Sequence, residues 1–156
     1  MRAARWLSII FHPFVMVGVL AGTAAAARQT AGEAMTSVGT VLAFTVVPLL
    51  FLMIRQVRRG AWENVDASNK TERPVLYLVG GVGLAALIAY LVVGSPEAFM
   101  LRGVVATLIM LAVCAAATWW IKVSLHMAFA AFAATVLTLS GSIVGYAIVT
   151  MVPPLA

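Results

Sequence analysis

Long apolar runs separated by short polar segments constrain the fold of this chain more than any other feature. Five runs, at about residues 6–27, 37–54, 75–93, 99–120 and 125–152, are each close to the length that crosses a ~30 Å hydrocarbon layer as a helix. A backbone in lipid must satisfy its hydrogen bonds internally. The sequence therefore predicts an all-α, polytopic transmembrane helix bundle with five spans, forming a single integral membrane domain over residues 1–156.

Composition agrees with this class. Hydrophobic residues make up 63% of the 156 residues and charged residues 10%, whereas soluble domains are about one quarter charged. The net charge is +5, but no basic face with interleaved aromatic residues is present, so we expect membrane lipids as partners and no nucleic acid. The single Cys114 excludes a disulfide within the chain. We expect no cofactor and no metal site. The sequence leaves open whether the protein forms a homo-oligomer.

The positions of Lys and Arg predict the orientation. Placing the N-terminus in the cytoplasm leaves only Arg28 and Arg102 of the ten basic residues outside. We therefore expect a protein of the cytoplasmic (cell) membrane with its C-terminus outside. A cleaved signal peptide is the alternative for residues 1–27, and His12-Pro13 argues against it by interrupting the apolar run. We assign His12 a structural role.

One polar loop, residues 55–74, is expected on the cytoplasmic face. Within it Asp66, Lys70 and Arg73 recur at helical spacing, which places them on one side of a helix. Arg73 offers a planar fork that matches phosphate oxygens, and Lys70 supplies a second cation. Asp66 would hold Lys70 or orient a histidine. Pro74 suits the first turn of the next helix.

A second polar segment, expected on the same face, follows Trp119-Trp120. Ser124 is a candidate N-cap of the fifth helix, whose free backbone amides would attract an anion. Lys122 would add positive charge beside it. His126 would donate a proton to a leaving oxygen or pair with a nucleophile, because its unperturbed pKa lies near neutrality. We therefore predict that the two polar segments form one phosphate site.

These two segments resemble motifs of the type 2 phosphatidic acid phosphatase superfamily. Asp66-Ala-Ser-Asn-Lys-Thr-Glu-Arg73-Pro74 resembles a variant of its first motif, and Val123-Ser124-Leu125-His126 resembles its second. The resemblance implies metal-independent hydrolysis of a phosphate ester. In it Arg73 and Ser124 would bind phosphate, and His126 would act as general acid on the leaving group.

The chain also departs from that family. Asp66 stands where the family has its first lysine, so Lys70 would have to replace that charge. Val123 and Leu125 replace the family's Pro and Gly. The third motif, which carries the nucleophilic histidine, is missing, because no histidine follows His126. A truncated chain is the explanation we favour; a helix from another chain and a non-catalytic site are the alternatives.

We therefore expect a protein that binds a lipid phosphate or diphosphate at the cytoplasmic face, and hydrolyses it if the nucleophile is supplied. The rival is a non-enzymatic membrane protein or subunit whose basic loop only sets topology or contacts a partner. A prenyl-lipid transferase is disfavoured, since the chain has no paired Asp-rich motifs to hold magnesium diphosphate.

Two substitutions separate the first two hypotheses. If the chain binds a lipid phosphate, Arg73→Ala and His126→Ala each abolish binding or hydrolysis and leave membrane insertion intact, because each removes a phosphate or leaving-group contact. Lipid binding and membrane-fraction assays would measure both effects. A silent His126→Ala would support the rival.

Overall fold

The computed structural model describes residues 12–62, 72–94, 98–121 and 123–141. Every regular element in these ranges is a helix, which confirms the all-α class. The helices are α1 (Pro13–Ala26), α2 (Ala31–Arg58), α3 (Arg73–Val93), α4 (Ala98–Ala117) and α5 (Leu125–Leu139). The described residues divide into two compact units. The first unit contains 12–38 and 123–141, and the second contains 39–62, 72–94 and 98–121.

Three of the helices are long and apolar enough to cross a membrane. They are α2, α3 and α4, with 28, 21 and 20 residues. The chain is therefore a membrane protein. The other two helices, α1 and α5, are apolar but have 14 and 15 residues, short of the roughly 20 that a span needs. The remainder of the first and fifth predicted spans, 6–11 and 142–152, lies outside the described residues, so five spans stay a prediction.

Large apolar side chains on the long helices face outward. Phe51 on α2 and Leu78 on α3 are each 67% exposed, and Ile109 on α4 is 59% exposed. In water such surfaces mark interaction sites, whereas lipid tails cover them at no cost. The side chains thus support the same membrane assignment as the helix lengths.

The start of α2 differs from the predicted span. The helix begins at Ala31 rather than at residue 37, where the Glu33 side chain reaches back to Thr30, as in one half of a capping box. Oε2 of Glu33 accepts hydrogen bonds from the Thr30 backbone N–H at 2.9 Å and from the Thr30 hydroxyl at 2.7 Å. Much of the polar connection expected before residue 37 is therefore helical.

The end of α2 is a Schellman motif. Gly60 adopts a left-handed φ of 69°. Its N–H donates to the Val57 carbonyl at 3.0 Å, and the Ala61 N–H donates to the Gln56 carbonyl at 3.0 Å. The segment predicted as a polar loop from residue 55 therefore starts as the last turn of a helix. At its other end α3 begins at Arg73 with Pro74 in the first turn, as predicted.

In the second unit α2 packs against α3 at a position where both backbones come close. Pro48 lies inside α2 and has no N–H to donate to the Phe44 carbonyl. That carbonyl oxygen faces Gly83 of α3, and a Cβ built on Gly83 would overlap it. Gly83 therefore allows the close approach, and the Phe44 and Tyr90 rings pack nearby with centroids 5.4 Å apart.

Two linked, buried hydrogen bonds join α3 to the end of α4. The Thr118 hydroxyl donates to the Cys114 carbonyl at 2.7 Å, and the Tyr77 hydroxyl lies 3.0 Å from the Thr118 oxygen. Because Thr118 uses its hydrogen on Cys114, Tyr77 is the donor between the two side chains. This bond joins the start of α3 to the end of α4, so the two helices run antiparallel.

In the first unit α1 packs against α5 through small residues. Met16 of α1 lies in a buried cluster with Ala130, Ala133, Ala134 and Leu137 of α5. Alanines at helical spacing let the helices approach closely. His12, directly before α1, packs on His126 in the first turn of α5, and Met16 packs further along both helices, so α1 and α5 run parallel.

Gly83 and Gly81 provide a matched test of the α2–α3 contact. We expect Gly83→Ala to destabilise the protein by about 1–3 kcal/mol, because its Cβ meets a backbone oxygen that cannot move alone. Gly81→Ala, on the same helix with nothing within 4 Å of its Cβ, should not destabilise it. Thermal unfolding in detergent measures both; equal melting temperatures would contradict the proposed packing.

Candidate functional site

The candidate site lies in the first unit, where α1 and α5 begin. Ser124 precedes α5 with an extended backbone, φ −84° and ψ 112°. Its Oγ accepts a hydrogen bond from the Met127 N–H at 3.5 Å. Ser124 is thus the N-cap that the sequence predicts, and its side chain is exposed.

His126 lies in the first turn of α5, two residues after this cap. Its side chain is half-buried, and its Nε2 atom is buried. The ring packs edge-to-face on the ring of His12, with centroids 5.2 Å apart and an interplanar angle of 87°. The helices that carry these residues are far apart in sequence, so the contact depends on the parallel packing of α1 and α5.

His12 is the N-cap of α1. Its Nδ1 accepts a hydrogen bond from the Phe14 N–H at 3.3 Å, and its ring lies edge-on to the Phe14 ring at 4.7 Å. Pro13 occupies the first turn of the helix, where its missing N–H is tolerated. His12 is half-buried. Both histidines therefore lie at the beginnings of helices and in contact with each other.

The electrostatics at this end favour an anion. Two parallel helices present their N-terminal amides and the positive ends of their dipoles beside one another. The first turns of α1 and α5 contain no acidic side chain that would offset this positive potential. Added to the Ser124 hydroxyl and two imidazole rings, these amides form a set of groups suited to phosphate oxygens.

Arg73 lies in the second unit, at the first position of α3. Its side chain is only 9% exposed, and Glu72, the N-cap residue before it, is 7% exposed. A guanidinium at the positive end of a helix is opposed by the helix dipole. Tyr77 follows one turn later and is held by Thr118. Arg73 is thus buried at the start of α3, next in sequence to the buried Glu72 and one turn before Tyr77.

The predicted site residues are distributed as follows. Ser124 and His126 are together in the first unit, and Arg73 belongs to the second. Asp66, Lys70 and Lys122 lie outside the described residues. A single site that combines both polar segments therefore stays a prediction.

His12 is the residue that the sequence analysis did not place in the site. Two signals pointed to it. A residue directly before a helix-starting Pro is an N-cap candidate, and the predicted topology puts the beginnings of the first and fifth helices on one face. Neither signal indicates that α1 and α5 are neighbours, which is why the contact with His126 was missed.

No protein-family model, curated protein or solved structure matches the chain. The resemblance to phosphatidic acid phosphatases therefore rests on the motif residues alone. Within the part of the chain that the structure describes, no group of three or more His, Cys, Asp or Glu side chains could hold a metal ion. The groups to be considered at the candidate site are imidazole, hydroxyl and backbone amide.

Proposed function

We propose that this protein binds the phosphate group of a phosphorylated membrane lipid where α1 and α5 begin, and hydrolyses the ester where a nucleophile is supplied. The observation that carries the proposal is the contact between His12 and His126 beside two helix N-termini. Imidazoles titrate near neutral pH, and helix N-termini attract anions.

The groups at this end have complementary tasks. The first-turn amides of α5 and the Ser124 hydroxyl would donate to phosphate oxygens. His126, one turn or less from these donors, would hydrogen-bond the phosphate or protonate the leaving oxygen. This division of roles agrees with what the resemblance implies for Ser124 and His126.

A lipid fits better than a soluble phosphate. Behind the two polar helix starts, α1 and α5 are apolar along their lengths, and three further helices are long enough to cross a membrane. A phosphate attached to acyl chains is held at the membrane boundary, so its tails and the apolar helices share the same environment. Competition with inorganic phosphate distinguishes the two sources.

Arg73 belongs to the second unit, and Asp66, Lys70 and Lys122 lie outside the described residues. Their part in binding a phosphate stays a prediction from the sequence, in which Arg73 would supply a bidentate contact, Lys70 and Lys122 positive charge, and Asp66 the orientation of a neighbour. Arg73→Lys tests whether a bidentate guanidinium contact matters, because Lys keeps the positive charge and loses the planar geometry.

Ser124 offers a charge-matched test of the proposal. Asn and Asp cap helices about as well as Ser, so Ser124→Asn and Ser124→Asp should both keep α5 stable. Only Ser124→Asp places a negative charge at the site. We expect it to weaken binding of phosphatidic acid by about tenfold or more through charge repulsion, with Ser124→Asn close to wild type.

The measurement uses the full chain in phosphatidylcholine nanodiscs, titrated with short-chain phosphatidic acid, with thermal unfolding as the control for α5. Equal affinities of the two variants would overturn the site. That result would favour a non-enzymatic membrane protein whose basic loop sets topology or contacts a partner.

A further inference from the structure

One side of α2 is apolar and exposed, and it ends in two arginines. Val47, Phe51 and Ile54 are 58%, 67% and 44% exposed, and Arg55 and Arg58 are exposed as well. Residues three, four and seven positions after Phe51 lie on the same side of a helix as Phe51 itself. These five residues, called the outer stripe below, therefore form one continuous surface that changes from apolar to cationic.

The opposite side of α2 packs inside the second unit. Met53 is 3% exposed, and the Leu49 side chain lies against Gly80 of α3. Leu49 and Met53 are four residues apart and lie about half a turn around the helix from Phe51. The outer stripe is thus directed away from α3, toward the surroundings of the unit.

The cationic end of the stripe is also the end of the helix. Arg58 is the last residue of α2, which has 28 residues. A helix of this length spans about 42 Å, whereas the hydrocarbon layer is about 30 Å thick. The helix therefore extends past the hydrocarbon, and its arginines are the residues suited to the headgroup layer.

Two exposed tryptophans lie at the same end of the second unit. Leu49 meets Gly80 and Phe44 meets Gly83, so α2 and α3 run antiparallel. Since α3 and α4 are also antiparallel, the ends of α2 and α4 lie at one end of the unit. Trp119 and Trp120, just after α4, are 82% and 79% exposed. Tryptophan is enriched where hydrocarbon meets the headgroups, which places Arg55 and Arg58 at this boundary too.

The positive charge at this end is not offset by a described carboxylate. Arg59 follows Arg58 and is exposed as well. Among the residues that the structure describes, the carboxylates are those of Glu33, which bonds to Thr30, and Glu72, which is buried. Neither pairs with these arginines. Arginines near a membrane surface attract anionic headgroups.

We propose that the outer stripe of α2 binds one anionic phospholipid of the surrounding leaflet. Its acyl chains would lie along Val47, Phe51 and Ile54, and its phosphate would lie between Arg55 and Arg58. A guanidinium binds phosphate oxygens through two parallel N–H···O bonds. The quaternary ammonium of phosphatidylcholine is repelled by the same cations, so the stripe prefers a headgroup with a net negative charge, such as phosphatidylglycerol.

This lipid surface belongs to the second unit and takes no part in the function proposed for the start of α5. The arginines are on the lipid-exposed side of α2, and the phospholipid is bound as a structural neighbour. No bond of the lipid is broken there.

Arginine substitutions on two helices provide a matched test. Glutamine forms helices about as well as arginine, so the double variant Arg55→Gln/Arg58→Gln should keep its melting temperature in phosphatidylcholine. We expect its affinity for phosphatidylglycerol to fall about tenfold or more, with its affinity for phosphatidylcholine unchanged. Arg102, near the start of α4, is exposed at the opposite end of the unit. Arg102→Gln should bind phosphatidylglycerol like the wild type.

The measurement uses native mass spectrometry of the full chain in detergent micelles, titrated with short-chain phosphatidylglycerol and phosphatidylcholine. Equal affinity of the wild type and the double variant for phosphatidylglycerol would overturn the proposal. An equal loss in Arg102→Gln would do so as well, because net charge alone would then explain the preference. Glycerol 3-phosphate, which has no acyl chains, should not displace the lipid; displacement at equal concentration would show that the apolar part of the stripe is not used.

Ser124→Asp separates this surface from the start of α5. The variant should retain the preference for phosphatidylglycerol over phosphatidylcholine, because Arg55 and Arg58 are unchanged. If Ser124→Asp loses that preference while Arg55→Gln/Arg58→Gln keeps it, the anionic lipid binds at α5 and the outer stripe is not its site. A loss of preference confined to the arginine variant would support the outer stripe, whatever the outcome for phosphatidic acid at Ser124.

Discussion

The structure depends above all on how the backbone N–H and C=O groups at the helix ends find hydrogen-bond partners. A helix leaves four N–H and four C=O groups unsatisfied at its ends, and lipid offers no water to bind them. Four of the described ends show how the chain meets this need: Glu33 bonds back to Thr30 at the start of α2, a Schellman turn at Gly60 ends it, and Ser124 and His12 cap α5 and α1.

The starts of α1 and α5 show how capping places polar side chains at helix ends. The imidazole of His12 accepts from the Phe14 N–H, and the Ser124 hydroxyl oxygen caps α5. Parallel packing of the two helices then puts His12 on His126. Inside α2, Pro48 has no N–H to donate to the Phe44 carbonyl oxygen. Gly83 has no Cβ and so leaves room for that oxygen against α3.

The features predicted correctly are local ones. An apolar run in lipid must be helical, a serine before such a run caps it, and a proline favours the first turn, so the all-α class, Ser124 and Pro74 follow from neighbouring residues. The helix α2 is longer than the predicted span 37–54, since Glu33 is polar by composition yet bonds back to Thr30 at the start of the helix. The contact between His12 and His126 was not predicted, because the two residues lie more than a hundred positions apart in the sequence.

By itself the sequence determined that this chain is a helical membrane protein with polar segments between its apolar runs, because hydropathy and capping act within a few residues. Only the tertiary structure decided that α1 lies parallel to α5, and that His12 rather than a later residue stands beside His126. Helix neighbours depend on how faces of Ala130, Ala133 and Met16 fit together. Many apolar faces in one chain have similar composition, so their pairing is resolved by shape and not by pattern.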